Sequence, residues 1–464
     1  MIKNFTKIMG ILILPFIMML SGCSIGDKTT DEKPNIIFIL TDDQRWDAMG
    51  SNNAEILTPE MDKLAKDGVK FTNAFVTTPI CAVSRASILS GEYALRNGIK
   101  DFKTHFSDSA YAFTYPMQLK QAGYRIGFIG KYGVGREEDF PKDKYDYWGC
   151  FPGQGTYWHK DSLGNAVHLT KILGNRALSF IKESPKDKPF CLSISFKAPH
   201  AQDRREIEFL FDSTYIDLYK DKVFPTPETG ADIYWKSFPE WFRKNNEARI
   251  RWKKRFSTPE KYQRTLHGYY RLIYGADIQI GRIRKLLKET GRDKNTIIMF
   301  MGDNGFYLAE HGMAGKWYAH EESIRVPLII YDPRVEEIQK GLVNDKMALN
   351  IDIAPTILDY AGFEIPKTMQ GKSLRNILYN NKSSWRNEFF FEHPFKYKRI
   401  PRSEGIVTKD WKYIRFIDRK PGAEWLYNTG NDPKEKVNLA EDKKYSEIKA
   451  QLKKRFEKLK EKVR

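Results

Sequence analysis

The chain is poor in cysteine. It has four in 464 residues, which excludes a small scaffold stapled by disulfides. It also lacks a long apolar run. The stretch at 11–20 falls short of the ~20 apolar residues a membrane-spanning helix needs, and no later run suggests a span. Glycine (32) and proline (22) are unexceptional, which excludes collagen-like and low-complexity classes. No internal repeat is visible. Acid is in deficit, with 59 Asp and Glu against 77 Lys and Arg, a formal charge of +18. That charge suits nucleic acid, a membrane surface or an acidic polymer. Aromatics make up 14%, which argues against disorder. The length allows one large domain and a smaller one.

Lys3 and Lys7 precede the apolar run, as in a signal-peptide core. The run ends Leu20-Ser21-Gly22-Cys23, which resembles a bacterial lipobox. The resemblance implies a signal peptide at 1–22, a lipidated Cys23 and a polar tether over 23–33. The protein is then expected as an exported bacterial lipoprotein of the periplasm or outer membrane, held by its lipid alone. An ordinary signal peptide with an incidental Cys is the alternative. Loss of Lys3 and Lys7 would bring the charge to +16. Cys150 and Cys191 could pair or stay buried thiols, and both remain open.

Five short apolar runs predict buried strands, at 36–40, 124–129, 190–196, 296–301 and 326–331. They are continuous rather than alternating, as in parallel sheets. Helical patterns lie between them. One spans 59–67, with Thr58 as N-cap, Pro59 at the first helical position and Gly68 beyond the end. Another runs roughly 262–289. The alternation predicts an α/β fold with a large, mostly parallel sheet flanked by helices over 34–374. From 375 to 464 the pattern changes to a smaller α+β subdomain. It has antiparallel strands near 387–392 and 411–416 and a closing basic helix from about 445. Residues 201–265 read as an irregular excursion on the substrate side.

The residues just past each strand carry the chemistry. Thr41-Asp42-Asp43-Gln44 comes after the first and Gly302-Asp303-Asn304-Gly305 after the fourth. Gly130-Lys131 and Ala198-Pro199-His200 come after the second and third. In an open α/β sheet these ends share one ligand-binding edge. Two acid clusters there repel unless a cation lies between them. Three carboxylates and an amide oxygen suit Ca²⁺, or Mg²⁺ as second choice. A single Asp pair is usually a solvated turn; two pairs placed alike after buried strands are not. Cys81 opens a short helix bracketed by Pro79 and Gly91, with Arg85 one turn on. A Cys is most often a small buried hydrophobe, but a nucleophile beside Arg fits an anionic substrate better.

Cys81-Ala82-Val83-Ser84-Arg85 resembles the signature of type I, formylglycine-dependent sulfatases of the alkaline phosphatase superfamily. The Asp42-Asp43-Gln44, Gly130-Lys131 and Pro199-His200 blocks match in order, as does the run Gly302 to Leu328 with Lys316 and Glu322-Ser323. The resemblance covers nearly the whole chain after the tether and implies an alkaline-phosphatase-like fold. It implies that another enzyme oxidises Cys81 to formylglycine, the nucleophile, with Arg85 fixing its hydroxyl. Asp42, Asp43, Asp303, Asn304 and residue 81 would hold Ca²⁺. Lys131 and Lys316 would clamp sulfate oxygens, and His200 would serve the leaving oxygen. Asp277 is expected to be structural. Two positions depart from the family pattern: Val83, where Pro or Ala is usual, and Gly133, where His is frequent.

The aromatic, Gly-rich stretch at 148–159 makes Trp158 and His159 candidate sugar contacts. His311, which could touch substrate or only support its loop, and His393 are further candidates, the latter beside a charged loop at 396–402. The implied function is hydrolysis of a sulfate ester on a sulfated glycan. The alternatives are a related phosphodiesterase or phosphonate monoester hydrolase, and a non-catalytic glycan-binding lipoprotein. Asn304 and the Cys81–Arg85 motif weigh against the first; Lys131, His200 and Lys316 weigh against the second. Basic residues are dispersed and show no nucleic-acid recognition motif.

Overall fold

Uninterrupted apolar runs become strands buried on both faces. In a computed structural model, β1 (Asn35–Asp42) sends Ile36, Phe38 and Leu40 into one core and Ile37 and Ile39 into the other. The structure describes Met1 and residues 33–379, 383–419 and 423–464. The signal peptide, Cys23 and nearly all of the tether lie outside them. Lys33–Arg464 forms one compact unit. Among the described residues no helix is long and apolar enough to cross a membrane.

The other strands of the central sheet are β2 (Val69–Phe71), β3 (Arg125–Lys131), β4 (Tyr147–Phe151), β5 (Phe190–Pro199), β6 (Thr296–Gly302), β7 (Leu328–Tyr331) and β8 (Leu342–Asn344). Their order across the sheet is β8-β2-β7-β6-β1-β5-β3-β4. All pairings are parallel except those of β7, which runs antiparallel to β6 and β2. The run at 326–331 thus forms a strand whose direction its continuous apolar pattern did not reveal. Burial on both faces erases alternation whichever way a strand runs.

The register sets the functional edge. Thr41 on β1 lies opposite Gly302 on β6, Asp42 opposite Pro199 on β5, and Gly130 on β3 opposite Ser195 on β5. Residues after these strands therefore emerge at one level. Gly130 has φ +97°, and a Cβ there would sit 2.0 Å from the Ser195 carbonyl oxygen, so only glycine lets β3 lie this close to β5.

Helices α1 (Pro59–Asp67), α2 (Cys81–Ser90), α3 (Leu169–Glu183), α4 (Glu247–Arg255) and α5 (Pro259–Glu289) lie between the strands. Thr58 makes no side-chain cap on α1; instead it receives the Gly50 N–H at 2.8 Å. The first turn of α1 is satisfied from α5, where Asp277 accepts the N–H groups of Glu60 and Met61 at 3.1 and 2.7 Å. That is a structural use of Asp277. Cys150 and Cys191 are free. They stand on β4 and β5, opposite Gly130 and Ile126 of the intervening β3. Four residues of strand alone put them roughly 13 Å apart, beyond the reach of a disulfide.

The C-terminal part is an antiparallel meander, β9 (Glu388–His393), β10 (Ser403–Thr408), β11 (Lys412–Phe416) and β12 (Glu424–Tyr427), in sequential order. Helix α6 (Ser446–Val463) crosses it, setting Phe456 against Phe390 with ring centroids 5.9 Å apart. Phe456 is 1% exposed and anchors a helix that is otherwise mostly charged. Phe456→Ala should destabilise the protein by ~3–5 kcal/mol in denaturant unfolding. A loss under ~1 kcal/mol would mean that α6 does not depend on this contact.

Candidate active site

At the sheet edge, Asp42, Asp43 and His200 offer ligand atoms that all lie within 4.8 Å of one another, and all three residues are buried. Asp43 has φ +70°, a strained conformation that Asp tolerates better than most residues, at a cost of about 1–3 kcal/mol. Its backbone N–H donates to Asp303 Oδ1 at 3.1 Å, and its carbonyl accepts the Tyr269 hydroxyl at 2.7 Å. Asn304 Nδ2 donates to Asp43 Oδ1 at 2.6 Å.

Three cations thread these acids. Arg85, one turn into α2, donates through Nε to Asp303 Oδ2 at 2.9 Å and through Nη1 to the Lys131 carbonyl at 2.6 Å. Nη1 also reaches Ser195 Oγ, and Nη2 lies 3.5 Å from Asp42 Oδ2. Lys131 Nζ binds Asp42 Oδ2, sits 3.5 Å from Cys81 Sγ and donates to Gln154 Oε1 at 2.7 Å. Lys316 Nζ binds Asp43 Oδ1 and lies 3.8 Å from Asp42 Oδ1. His200 turns Nε2 to Asp43 Oδ2 at 3.7 Å, while Nδ1 pairs with the Ala201 carbonyl at 2.6 Å. Cys81 is 2% exposed at the start of α2.

These charges tune one another. Burial pushes Asp42 up, but Lys131, His200, Lys316 and Arg85 outweigh it and hold its carboxyl well below the usual range. Burial and the Asp42 charge lift Asp303 to about 6 against the pull of Arg85 and Lys316. Burial disfavours charge on Lys131, yet Asp42 and its other acidic neighbours raise it above its ordinary value. Burial, helped by Lys131, Lys197 and Lys316, holds His200 well below its ordinary value despite Asp42.

Two buried oxygens, Asp42 Oδ1 and Asn304 Oδ1, have no hydrogen-bond partner. An orphaned carboxylate oxygen and an orphaned amide oxygen beside Asp43 and Asp303 are hard donors that fit a divalent cation. The side chains balance three carboxylates with three cations. A dication would leave the site positive and ready for an anion.

All nine residues expected for catalysis or metal binding meet here. The four sugar-contact candidates do not join the cluster. Trp158 is exposed on a hairpin, edge-on to His168, and His159 Nε2 pairs with the Thr156 carbonyl at 2.9 Å. His311 is buried and stacked on His320 at 4.3 Å, and His393 is buried on β9, opposite Ser403. Gly133 has φ +76°, and a Cβ there would approach Arg85 Cδ to 3.0 Å. A side chain here would take a left-handed backbone and push the Arg85 side chain aside.

Sequence reasoning missed Gln154, Ser195 and Lys197. Lys197 is 2% exposed and held near pKa 8, by burial first and then by Lys131. A charge inside an otherwise apolar strand was the signal available.

The chain has relatives among known proteins. The Sulfatase family model matches residues 34–363, and a model of the N-sulphoglucosamine sulphohydrolase C-terminal region matches 309–462. The chain belongs to the sulfatase family; it is a sulfuric ester hydrolase. It is 28% identical to an N-acetylglucosamine-6-O-sulfatase of Bacteroides thetaiotaomicron over 95% of this chain and 89% of that one. It is 30% identical to an arylsulfatase of Clostridium perfringens, over 89% and 92%. A solved structure in complex with its substrate D-glucosamine-2-N,6-O-disulfate superposes with TM-score 0.79 at 26% identity, over 93% and 98%. A phosphonate monoester hydrolase of Silicibacter pomeroyi superposes with TM-score 0.77 at 22% identity, over 93% and 96%, which shows the shared fold alone.

Arg85→Ala would leave Asp303 and Asp42 as under-compensated buried charges. It should lower unfolding stability by ~3–5 kcal/mol in calorimetry or denaturant titration. An unchanged stability would show that Arg85 does not hold the acids together.

Proposed function

We propose that this protein hydrolyses a sulfate ester on a sulfated glycan, using formylglycine made from Cys81 and one Ca²⁺. The observation that carries this reading is the meeting of Cys81, Lys131 and Lys316 with Asp42, Asp43, Asp303 and Asn304 in one buried, charge-balanced site. A sulfated sugar is supported by two of the relatives, the N-acetylglucosamine-6-O-sulfatase and the solved structure holding D-glucosamine-2-N,6-O-disulfate. The basic charge suits polyanionic glycans.

Asp42, Asp43, Asp303 and Asn304, with residue 81, would hold the cation. When bound it would supply Lewis-acid neutralisation of the sulfate oxygens. Formylglycine would supply a hydrated aldehyde, with one hydroxyl to attack sulfur and a second to expel sulfate afterwards. The protein's own groups do the rest. Lys131 and Lys316 stabilise charge on the sulfate oxygens from fixed positions, with no reorganisation as the reaction proceeds. Arg85 donates to Asp303, the Lys131 carbonyl and Ser195 and pairs its charge with Asp42, so it orients the acids as well as facing residue 81. His200 has Nδ1 tied to the Ala201 carbonyl, which leaves Nε2 to serve the departing sugar oxygen. A sulfate anion arriving beside it favours the protonated imidazole, the form able to give that oxygen a proton. The lipobox-like Leu20–Cys23 segment supports an exported, lipid-anchored protein, and matches to proteins named extracellular sulfatases agree with export.

Two measurements test the reading. Peptide mass spectrometry across residue 81, on protein co-produced with a formylglycine-installing enzyme, should find the aldehyde in place of the thiol. Only unmodified Cys81 would remove this mechanism. Asp303→Ala should lower sulfate release by roughly 100-fold or more and abolish metal retention in elemental analysis. Full activity with full metal content would place the ion elsewhere.

A further inference from the structure

Outside the catalytic cluster, the segment 241–244 that precedes α4, the loop between β9 and β10 and the turn after β11 line an open cavity of about 530 Å³. Lys244, Lys396, Lys398, Arg399 and Arg419 line it, with Asp418 as the one acid. Asp418 is already held by Arg402, Nη2 to Oδ1 at 2.6 Å. Lys244, Lys396 and Lys398 are exposed, and among the described residues their ammonium groups make no hydrogen bond or ion pair. Arg399 Nε is buried without a hydrogen-bond partner. Unpaired like charges gathered in one cavity raise its potential and lack an obvious structural use. Aromatic faces stand beside them. Tyr397 is 39% exposed, and its ring lies parallel to that of Phe395 at 6.1 Å. Trp241 lies under the Arg419 guanidinium at 5.4 Å.

The cavity is joined to the catalytic site by one chain of contacts. Arg399 Nη1 binds Glu247 at 3.2 Å, and the Glu247 N–H donates to the Arg399 carbonyl at 3.2 Å. Glu247 also receives Arg251 Nε at 3.0 Å, one turn along α4. The Arg251 guanidinium lies over the ring of Trp317, next to Lys316, and its charge is favoured in part by Asp43. Cationic groups therefore succeed one another outward from the catalytic acids, through Arg251 and Arg399, to the lysines.

The geometry points to a second binding subsite here, for sulfated sugar units that flank the one being hydrolysed. This rests on the sulfated-glycan function and deepens it, since a site for flanking units makes the substrate an oligosaccharide or polymer. Unpaired lysines would meet sulfates, and the Tyr397 face would meet a sugar ring. Attraction of this kind is strong at low salt and screened at high salt.

The test is a triple charge reversal, Lys244→Glu with Lys396→Glu and Lys398→Glu. These exposed, unpartnered side chains can change without loss of the fold. Arg399 stays, because it holds Glu247. In a Cys81→Ala background, which prevents turnover, calorimetry should show a heparin-derived octasaccharide binding, and its fully desulfated counterpart failing to bind. The triple reversal should weaken the octasaccharide at least tenfold and flatten its salt dependence. In the formylglycine-bearing enzyme it should leave kcat/KM on a sulfated monosaccharide within twofold. An equal affinity before and after the reversal overturns the subsite, as does absence of octasaccharide binding. Failure to hydrolyse any sulfate ester would instead overturn the proposed function, while the binding comparison still decides the subsite.

Discussion

The site depends on keeping three carboxylates together in the protein's interior. Asp42, Asp43 and Asp303 are each at most 2% exposed, and such a group of like charges is strongly unfavourable alone. Arg85, Lys131 and Lys316 compensate it, and each comes from a different segment: a helix start, a strand end and a loop after β6. The charge balance thus ties distant parts of the chain to one point. It also explains why these cations are themselves buried, which an isolated Lys or Arg seldom is.

The sheet makes the balance achievable. Parallel strands β1, β3, β5 and β6 end at matched register, so the acids, Lys131 and His200 emerge together without long loops. Gly130 draws β3 against β5, bringing the Lys131 carbonyl and Ser195 Oγ within reach of the same guanidinium. The C-terminal meander reaches toward this edge too. Its first loop is fastened to α4 by the Arg399–Glu247 pair, so the small sheet and the excursion at 201–265 share a wall.

Much of this was legible in the residues because a fully buried strand writes an unbroken apolar run and its exit residues come at once after it. The four exits named from sequence all reach the cluster. Direction was not legible for β7, since burial on both sides leaves no alternation to read. Strands of three residues, β2 and β8, carry too little pattern to register. Lys197 comes one residue past the run read as apolar, where the strand continues to Pro199, and Gln154 lies in a stretch read for sugar contacts, yet it meets Lys131. Proximity in sequence left His311 open between touching substrate and supporting its loop. It comes a few residues after the acidic motif, yet the chain turns it inward to stack on His320.

Every residue of α2 is buried. On the proposed formylglycine chemistry, this burial imposes an order of events on the protein's manufacture. Cys81 opens that helix beneath the sheet edge, and no outside enzyme could close around the Cys81–Arg85 segment once the surrounding strands have paired. Oxidation of this cysteine by a separate enzyme would have to act on the chain before it folds. A molecule that folded first would be locked as a thiol, with its lattice of acids and cations complete and its nucleophile missing. The fraction of working protein would then be decided by a race between modification and folding, not by the stability of the finished structure.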